Sequence, residues 1–298
     1  MKLLAGVALA LAACASAPVA MTAGGKPSYL EAVSANVPNE GAIVQRFWTP
    51  GLEEGWVPQG LTVSGAHVLV AQYRPAPVLQ ANTGPCRVVR LRRASGEAAG
   101  AFDMPVGACT HAGGLADLGD GQLILFDTRQ IFRIDMERAF ASGRAEGAMK
   151  SLRLSGELRG SFGGFDGRDP WIGTWTRDAA RSRMYRLPAK LFDEFDGQSI
   201  DEKQALESVP IPAESQGLAF DAQGRAWTSS SNGQWGRLHR LERDGRVAAT
   251  FELMAGLEDL GFDADGRLWS VSESGTRKYL HWTTRFPFVF AVDVAKLQ

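Results

Sequence analysis

Few of the residues and motifs that mark familiar chemistry occur in this sequence. It has only three cysteines among 298 residues, and no two of them form a Cys-x-x-Cys pair. A His-Glu-x-x-His motif, a Gly-x-Ser-x-Gly elbow and a phosphate-cradling glycine loop are also absent. These absences argue against thiol redox, zincin, serine hydrolase and nucleotide-dependent activities. The formal net charge is −1 without a long block of one sign, so we expect no nucleic-acid partner.

An apolar run of eleven residues, 3–13, follows the positively charged Lys2. It is too short to span a bilayer and has the length of a signal-peptide core. The run ends in Leu-Ala-Ala-Cys at 11–14, which resembles the lipobox of bacterial lipoproteins, where the cysteine is diacylated and becomes the mature N-terminus. We therefore predict a lipoprotein signal peptide over 1–13 and lipidation at Cys14. The alternative is a soluble secreted protein that is cleaved after an Ala-x-Ala site at 13–15.

Lipidation would place the protein in the bacterial cell envelope. Ala15 after the cysteine, rather than Asp, implies the outer membrane, with the protein facing the periplasm and the membrane as its partner through Cys14. Residues 14–40 are rich in Ala, Pro, Ser, Thr and Gly, and predict a flexible tether.

The two remaining cysteines, Cys86 and Cys109, form an even pair in an oxidising compartment. They predict a disulfide, with two unpaired buried thiols as the alternative.

A strand–turn–strand pattern recurs five times in the rest of the chain, and its clearest copy is at 216–230. In that copy, Asp221 and Gly224 supply the chemistry of a tight turn. The copies begin at positions 60, 114, 164, 217 and 259, which lie 54, 50, 53 and 42 residues apart. Repeats of this length that consist of strands and turns are typical of the blades of a β-propeller.

The five units differ at the end of the chain. Units one to four continue with a third and a fourth strand, whereas unit five ends after its third strand at 288–292. A spare strand at 42–48 can supply the missing fourth strand and close the ring. We therefore predict an all-β propeller over 41–298 with five four-stranded blades, and we expect it to be a monomer. Six blades are the alternative, but they require a blade within 188–210, which reads as a polar loop.

The pattern Gln-Gly-Leu-Ala-Phe-Asp-x-x-Gly-Arg at 216–225 resembles a broad propeller superfamily. This superfamily contains gluconolactonase-type lactonases, strictosidine-synthase-like proteins and NHL-repeat proteins. Val-Pro-Gln-Gly at 57–60, together with Glu-Ser-Gly-Thr-Arg-Lys-Tyr at 273–279, is also similar to secreted bacterial propellers of no assigned function. The resemblance covers residues 42–298 and implies the fold. Many activities share the motif, so it implies no single function.

In a propeller, the loops that enter the first strands and those between the second and third strands surround one mouth of the central channel. The residues that the entering loops place at this mouth are Gln59, His111, Ser161, Glu214, Gln216, Glu258 and Asp259. The ends of the second strands add Gln72, Tyr73, Asp127, Trp175, Ser230 and Glu273. Both cysteines also fall on this face, within reach of each other. The predicted ligand-binding residues are Gln59, His111, Glu214, Gln216, Glu258 and Glu273.

These residues support two main functions. The first is a binding or scaffold module at the envelope, for a small ligand or an envelope protein. The alternative is a metal-dependent lactonase or ester hydrolase with His111, Glu258 and Asp259 as catalytic candidates, because Glu258-Asp259 resembles the carboxylate that lactonases of the superfamily use on a divalent ion. The usual Asn and Asp partners have no clear match, so we predict no metal and no cofactor, with calcium as the alternative. A third hypothesis is a strictosidine-synthase-like condensation with Glu214 or Glu258 as a lone acid.

Overall fold

The computed structural model describes residues 24–298. Its 21 strands form five sheets, which are the blades of a ring around a central channel. The prediction of five blades is confirmed. No helix in the described part combines the length and the apolar character of a membrane span. Residues 1–23, which contain the predicted signal peptide and Cys14, lie outside the described residues.

The ring is closed by β1 (Ile43–Trp48), which pairs antiparallel with the last strand of the chain. Trp48 lies opposite Phe288, and Arg46 lies opposite Phe290. The prediction that the strand at 42–48 completes the last blade is confirmed. Because the first and the last strand of the domain pair in one sheet, neither end of the domain is left as an unpaired strand, and the ring is closed.

In the first two blades, consecutive strands pair antiparallel and follow one another in the chain. Blade 1 contains β2 (Val57–Ser64), β3 (His67–Tyr73), β4 (Cys86–Arg92) and β5 (Ala98–Asp103). Blade 2 contains β6 (Gly114–Asp117), β7 (Gln122–Asp127), β8 (Gln130–Asp135) and β9 (Met149–Leu154), with α1 (Met136–Ser142) between the last two.

The other three blades follow the same plan. Blade 3 contains β10 (Phe162–Phe165), β11 (Pro170–Gly173), β12 (Arg183–Arg186) and β14 (Glu207–Pro210). Blade 4 contains β15 (Ser215–Phe220), β16 (Ala226–Ser231), β17 (Gly236–Leu241) and β18 (Val247–Leu253). Blade 5 contains β19 (Leu257–Phe262), β20 (Leu268–Ser272), β21 (Phe288–Val292) and β1.

The segment 188–210 forms no sixth blade, but it is more ordered than a polar loop. It contains α2 (Leu191–Glu194) and β13 (Ser199–Ile200), which adds a fifth, parallel strand to the edge of blade 2. Phe192 and Ile200 are each 1% exposed and pack into the core between blades 2 and 3. Burial of these two apolar side chains holds an otherwise charged segment in place.

The repeated turn motif has a structural role. In blades 3, 4 and 5, an aspartate at the first turn accepts a hydrogen bond from the indole Nε1–H of the following strand's tryptophan. The distances are 2.8 Å for Asp166 and Trp171, 2.9 Å for Asp221 and Trp227, and 2.9 Å for Asp263 and Trp269. The bond lets a large aromatic side chain be buried between blades without an unpaired donor.

Residues 24–40, the second part of the predicted tether, pack against the propeller. Leu30 and Val37 are buried, and Val37 joins the core that blades 4 and 5 form. The Ser28 hydroxyl donates to the Glu53 carboxylate at 2.7 Å. This part of the chain therefore differs from the flexible tether that its composition predicts, because its few apolar side chains find a buried position on the ring.

Asp259, in β19, connects four blades at the centre of the ring. Its Oδ2 accepts backbone N–H groups from Leu61 and Leu115, each at 2.9 Å, and its Oδ1 accepts the N–H of Leu218 at 3.3 Å. These three donors lie in the first strands of blades 1, 2 and 4. The side chain is 0% exposed. Burial raises the pKa of Asp259, and the backbone donors act in the opposite direction by stabilising the anion.

The close approach of the first strands depends on glycine. A Cβ atom at Gly217 would lie 2.5 Å from Cα of Asp259, and one at Gly114 would lie 2.6 Å from the backbone nitrogen of Gly163. Any larger residue would push neighbouring blades apart and lengthen the hydrogen bonds to Asp259.

We predict that Asp259→Ala lowers the free energy of unfolding by roughly 3 kcal/mol or more, because it leaves three buried amides without an acceptor at about 1–3 kcal/mol each. Chemical denaturation measures this change. Asp244→Ala, in an exposed hairpin of blade 4, is the matched control and should change stability by about 0.5 kcal/mol or less. Equal effects of the two substitutions would contradict the central role of Asp259.

Candidate functional site

A cavity of about 860 Å³ opens at the channel mouth, and all five blades contribute to its wall. Seven of the side chains that the sequence places at the mouth line this cavity: Gln59, His111, Ser161, Trp175, Glu214, Gln216 and Glu273. The alignment of the repeats thus locates the mouth and much of its lining.

Other residues that we expected at the mouth lie deeper or inside the blades. Glu258 and Asp259 are buried beneath the cavity, at 1% and 0% exposure. The Gln72 side chain is also buried, and its Nε2 donates to Pro50 O at 2.7 Å. Ser230 lies within blade 4, where its hydroxyl is 2.8 Å from Nε2 of His239. The projection was wrong for these residues because a repeat predicts which loop a residue occupies but not its depth in the channel.

Two carboxyl groups form the floor of the cavity. Glu273 is 6% exposed and its Oε2 accepts a hydrogen bond from Nε2 of Gln59 at 2.7 Å. Glu258 lies beneath it, bonds to the Glu273 carboxyl and accepts from Nε2 of Gln216 at 3.2 Å. Since a hydrogen bond between two carboxyl groups needs a proton, the two residues share one and titrate as a pair.

Burial is the main cause of the unusual acidity of this pair. It raises the pKa of Glu273 to about 7, against the opposing effects of Gln59, Lys278 and Tyr279. Burial also raises the pKa of Glu258 well above its ordinary value, and the charge of Glu273 raises it further. The floor of the cavity therefore changes its protonation near neutral pH.

A second group of side chains surrounds the carboxyl pair. The Tyr279 hydroxyl hydrogen-bonds to Glu273 and to the buried Tyr73. Nζ of Lys278 donates to the Tyr73 hydroxyl at 2.7 Å, to Ala81 O at 2.9 Å and to the side chain of Asn82. Lys278 thus attaches the loop between β3 and β4 to the edge of the cavity. Burial raises the pKa of both tyrosines and lowers the pKa of Lys278.

The loop that carries His111 is held at two points. Cys86 and Cys109 form a disulfide with their Cα atoms 5.8 Å apart, which confirms the predicted pairing. Asp127, at the end of β7, accepts the backbone N–H groups of His111 at 2.7 Å and Ala112 at 2.9 Å. Asp127 therefore supports the loop from below instead of facing the cavity.

His111 lines the cavity as a neutral base. Its ring stacks on Tyr73 with 4.7 Å between the ring centroids, and Nδ1 lies 2.7 Å from Asn82 O. A carbonyl oxygen can only accept, so Nδ1 carries the proton and Nε2 is left as an acceptor. Burial lowers the pKa of His111, which keeps the ring neutral at pH 7.

The two carboxylates that the calcium alternative would use, Glu258 and Asp259, do not form a ligand set. Both oxygens of Asp259 accept backbone amides, and Glu258 bonds to Glu273 and Gln216. Within residues 24–298, the one group of three His, Cys, Asp or Glu side chains close enough for an ion is Cys86, Cys109 and Asp127. Its two sulfur atoms are bonded to each other, so they cannot act as thiolate ligands.

The repeat alignment does not predict the other residues around the cavity. Tyr279 and Lys278 lie in the motif at 273–279, but that segment has no counterpart in the other blades. The rest of the wall contains Trp282 and the arginines at 129, 159, 177 and 181, in loops that differ from blade to blade. Side chains that occur in one blade alone do not appear in a repeat alignment.

Comparisons with known proteins support the fold of this chain and nothing beyond it. No protein-family model matches the chain, and no curated protein matches it in sequence. Solved propeller structures do resemble it. The PQQ-bound aldose sugar dehydrogenase of Streptomyces coelicolor is 15% identical, with 79% of this chain and 94% of that chain covered and a TM-score of 0.48. Streptogramin B lyase is 12% identical, with 85% of this chain and 97% of that chain covered and a TM-score of 0.41.

The Dos1 propeller is 15% identical over 72% of this chain, with a TM-score of 0.38. This chain spans 53% of the length of that one. At such identities and TM-scores the neighbours carry no argument about activity, and the architecture is established by the strand order itself.

We predict a pH-dependent stability that Glu273 causes. A carboxyl whose pKa rises from about 4.3 when unfolded to about 7 when folded stabilises the protein fully below pH 4.3, and this stabilisation is lost as the pH rises through 7. Between pH 5 and pH 8, wild type should therefore lose about 2–3 kcal/mol relative to Glu273→Gln. Urea denaturation of both proteins at each pH measures this, and parallel pH profiles would contradict it.

Proposed function

We propose that the channel mouth binds a small polar ligand, in a protein that acts at the bacterial envelope. The observation that carries the proposal is the set of polar groups that converge on the cavity floor. Glu273, Gln59 and Tyr279 form one hydrogen-bonded group there, and Nε2 of the neutral His111 is a further acceptor. Burying these polar groups costs free energy on folding. A few polar groups that converge in a cavity are typical of a ligand site.

Aromatic side chains suggest the kind of ligand. Trp175 is 41% exposed and Trp282 packs on Tyr279 with 4.2 Å between their ring centroids, and both line the cavity. Carboxyl, amide and hydroxyl groups beside aromatic faces suit a compound with several hydroxyl groups on an apolar frame. We therefore favour sugars, sugar acids and related hydroxylated compounds.

A hydrolase is the second candidate, and the shared proton of Glu258 and Glu273 favours it. A group with a pKa of about 7 can take a proton from an attacking water and return it to the leaving oxygen of an ester or lactone. This scheme uses Glu273 with Tyr279, which hydrogen-bonds to it, and with His111, which lines the same cavity. The metal-dependent lactonase with Glu258 and Asp259 as ligands remains an alternative that their hydrogen bonds do not support.

The binding proposal predicts saturable heat on titration with members of a panel of neutral and acidic sugars and their lactones. Glu273→Gln and Tyr279→Phe should each weaken that binding about tenfold, because each removes a hydrogen bond at the floor. Glu252→Gln on the outer strand β18 is the control and should leave it unchanged.

The same samples, assayed for lactone opening, separate binding from catalysis. Turnover that survives a chelator and is lost in Glu273→Gln supports the hydrolase. Turnover that a chelator abolishes supports the metal alternative, and heat without turnover supports a binding protein. No saturable heat with any member of the panel would contradict the proposal.

We also propose that the protein is anchored to the outer membrane through a lipid on Cys14, for which the lipobox-like sequence at 11–14 is the support. The expected result is that wild type sediments with the membrane fraction and Cys14→Ser appears in the soluble fraction, since the substitution removes the lipid's attachment atom. A Cys14→Ser protein that still sediments with membranes would rule the anchor out.

A further inference from the structure

The wall of the mouth cavity that blades 2 and 3 form is positively charged. Four arginines line it, at positions 129, 159, 177 and 181. Two carboxylates, Glu157 and Glu214, lie in the same lining. Four positive and two negative charges give this part of the wall a net charge of +2. The acidic floor group, Glu273, lies on the opposite side, in blade 5.

The two carboxylates neutralise only two of the arginines. Arg177 pairs with Glu214 at 3.4 Å, and Arg181 pairs with Glu157 at 3.8 Å. Within residues 24–298, neither Arg129 nor Arg159 has a carboxylate at ion-pair distance. The unpaired positive charge of the cavity therefore resides on these two side chains.

The chain brings Arg129 and Arg159 together and fixes one of them. Arg129 O accepts the N–H of Leu154 at 2.8 Å, and Thr128 O accepts the N–H of Gly160 at 3.3 Å, so the two arginine-bearing loops lie side by side. Nη1 of Arg159 donates to Gly156 O at 2.8 Å and to Leu158 O at 2.6 Å. Those bonds hold the guanidinium in place and leave Nε and Nη2 free for a ligand.

We infer that the ligand of this cavity is an acidic, hydroxylated small molecule whose carboxylate or phosphate group binds Arg129 and Arg159. The inference rests on the proposed function and adds the class of ligand to it. A planar guanidinium pairs with either oxyanion through two parallel hydrogen bonds. Trp175, in the same wall, offers a ring face to the frame of the compound, and the floor around Glu273 and Gln59 takes its hydroxyl groups.

Matched pairs of probes test this inference by isothermal titration of the full chain. Galactose with galacturonate, and glucose with glucose 6-phosphate, differ in the acidic group while keeping the sugar frame. We expect the acidic member of at least one pair to bind tenfold or more tighter than its neutral partner, roughly the effect of a charge-assisted hydrogen bond. The pair that shows the difference distinguishes a carboxylate from a phosphate site.

Single substitutions then assign the effect to residues. Arg159→Gln and Arg129→Gln should each raise the Kd of the acidic probe about tenfold and change that of the neutral probe less than about twofold. Arg129 makes no side-chain hydrogen bond in the described part of the chain, so its substitution tests binding without affecting the fold. Arg153→Gln, an exposed arginine on β9 outside the cavity, is the matched control and should change neither Kd.

The outcomes separate this inference from the proposed function. Equal binding of acidic and neutral probes, or acidic binding that both arginine variants retain, overturns the inference and leaves the ligand site intact. Binding of neither member of either pair overturns the inference, and the panel of sugars and lactones then decides whether the proposed ligand site stands. An acidic probe that binds tighter, and that loses affinity in both variants but not in Arg153→Gln, supports both.

Discussion

The buried carboxylate of Asp259 is the interaction on which the ring depends. Five blades around a narrow axis bring their first strands so close that glycine is needed at the contacts, as Gly217 and Gly114 show. Backbone N–H groups that face the axis have no strand partner and would be left unsatisfied without an acceptor there. One aspartate accepts three of them, from blades 1, 2 and 4, while its own strand belongs to blade 5. It links blades that are far apart in the chain.

The next residue toward the mouth has a different role. Glu258 precedes Asp259 in β19, yet it bonds to Glu273 and Gln216 and not to backbone amides of the neighbouring blades. Burial raises the pKa of both glutamates, and keeping this pair in a low-dielectric site weakens the protein at neutral and higher pH. A pair that only packed the core could be replaced by apolar side chains. This pair instead lies at the floor of an open cavity that His111 and Tyr279 also line. Titratable groups with shifted pKa values in a cavity are typical of sites that bind or transform a ligand, and such a role explains why the pair is kept despite its cost in stability.

The channel thus has two layers, and the mouth has two sides. The lower layer, at Asp259, holds the ring together, and the upper layer, at Glu258 and Glu273, faces the cavity. Across the mouth, Arg129 and Arg159 carry positive charge that no neighbouring carboxylate balances. The disulfide and the three bonds of Lys278 hold the loops of blades 1 and 2 around this arrangement. These loops keep His111 in place without being part of any blade.

The sequence predicts those features that repeat. Five copies of the turn motif, each with a second strand, are enough for the blade count, and the unpaired strand at 42–48 is enough for the closure. The aspartate–tryptophan bonds explain why these residues recur. Depth in the channel could not be predicted, because Glu258 and Asp259 are neighbours in one strand and only the packed blades separate their surroundings. Tyr279, Lys278 and the arginines were missed because each lies in a segment that one blade alone contains.

A crystal structure of the protein with its tightest-binding sugar acid or sugar phosphate is the decisive test of the assigned site. We expect the oxyanion to bond to Arg129 and Arg159, the sugar frame to lie against Trp175, and hydroxyl groups to contact Glu273 and Gln59. A ligand bound outside the mouth cavity, or bound within it with the acidic group away from both arginines, would contradict the assignment.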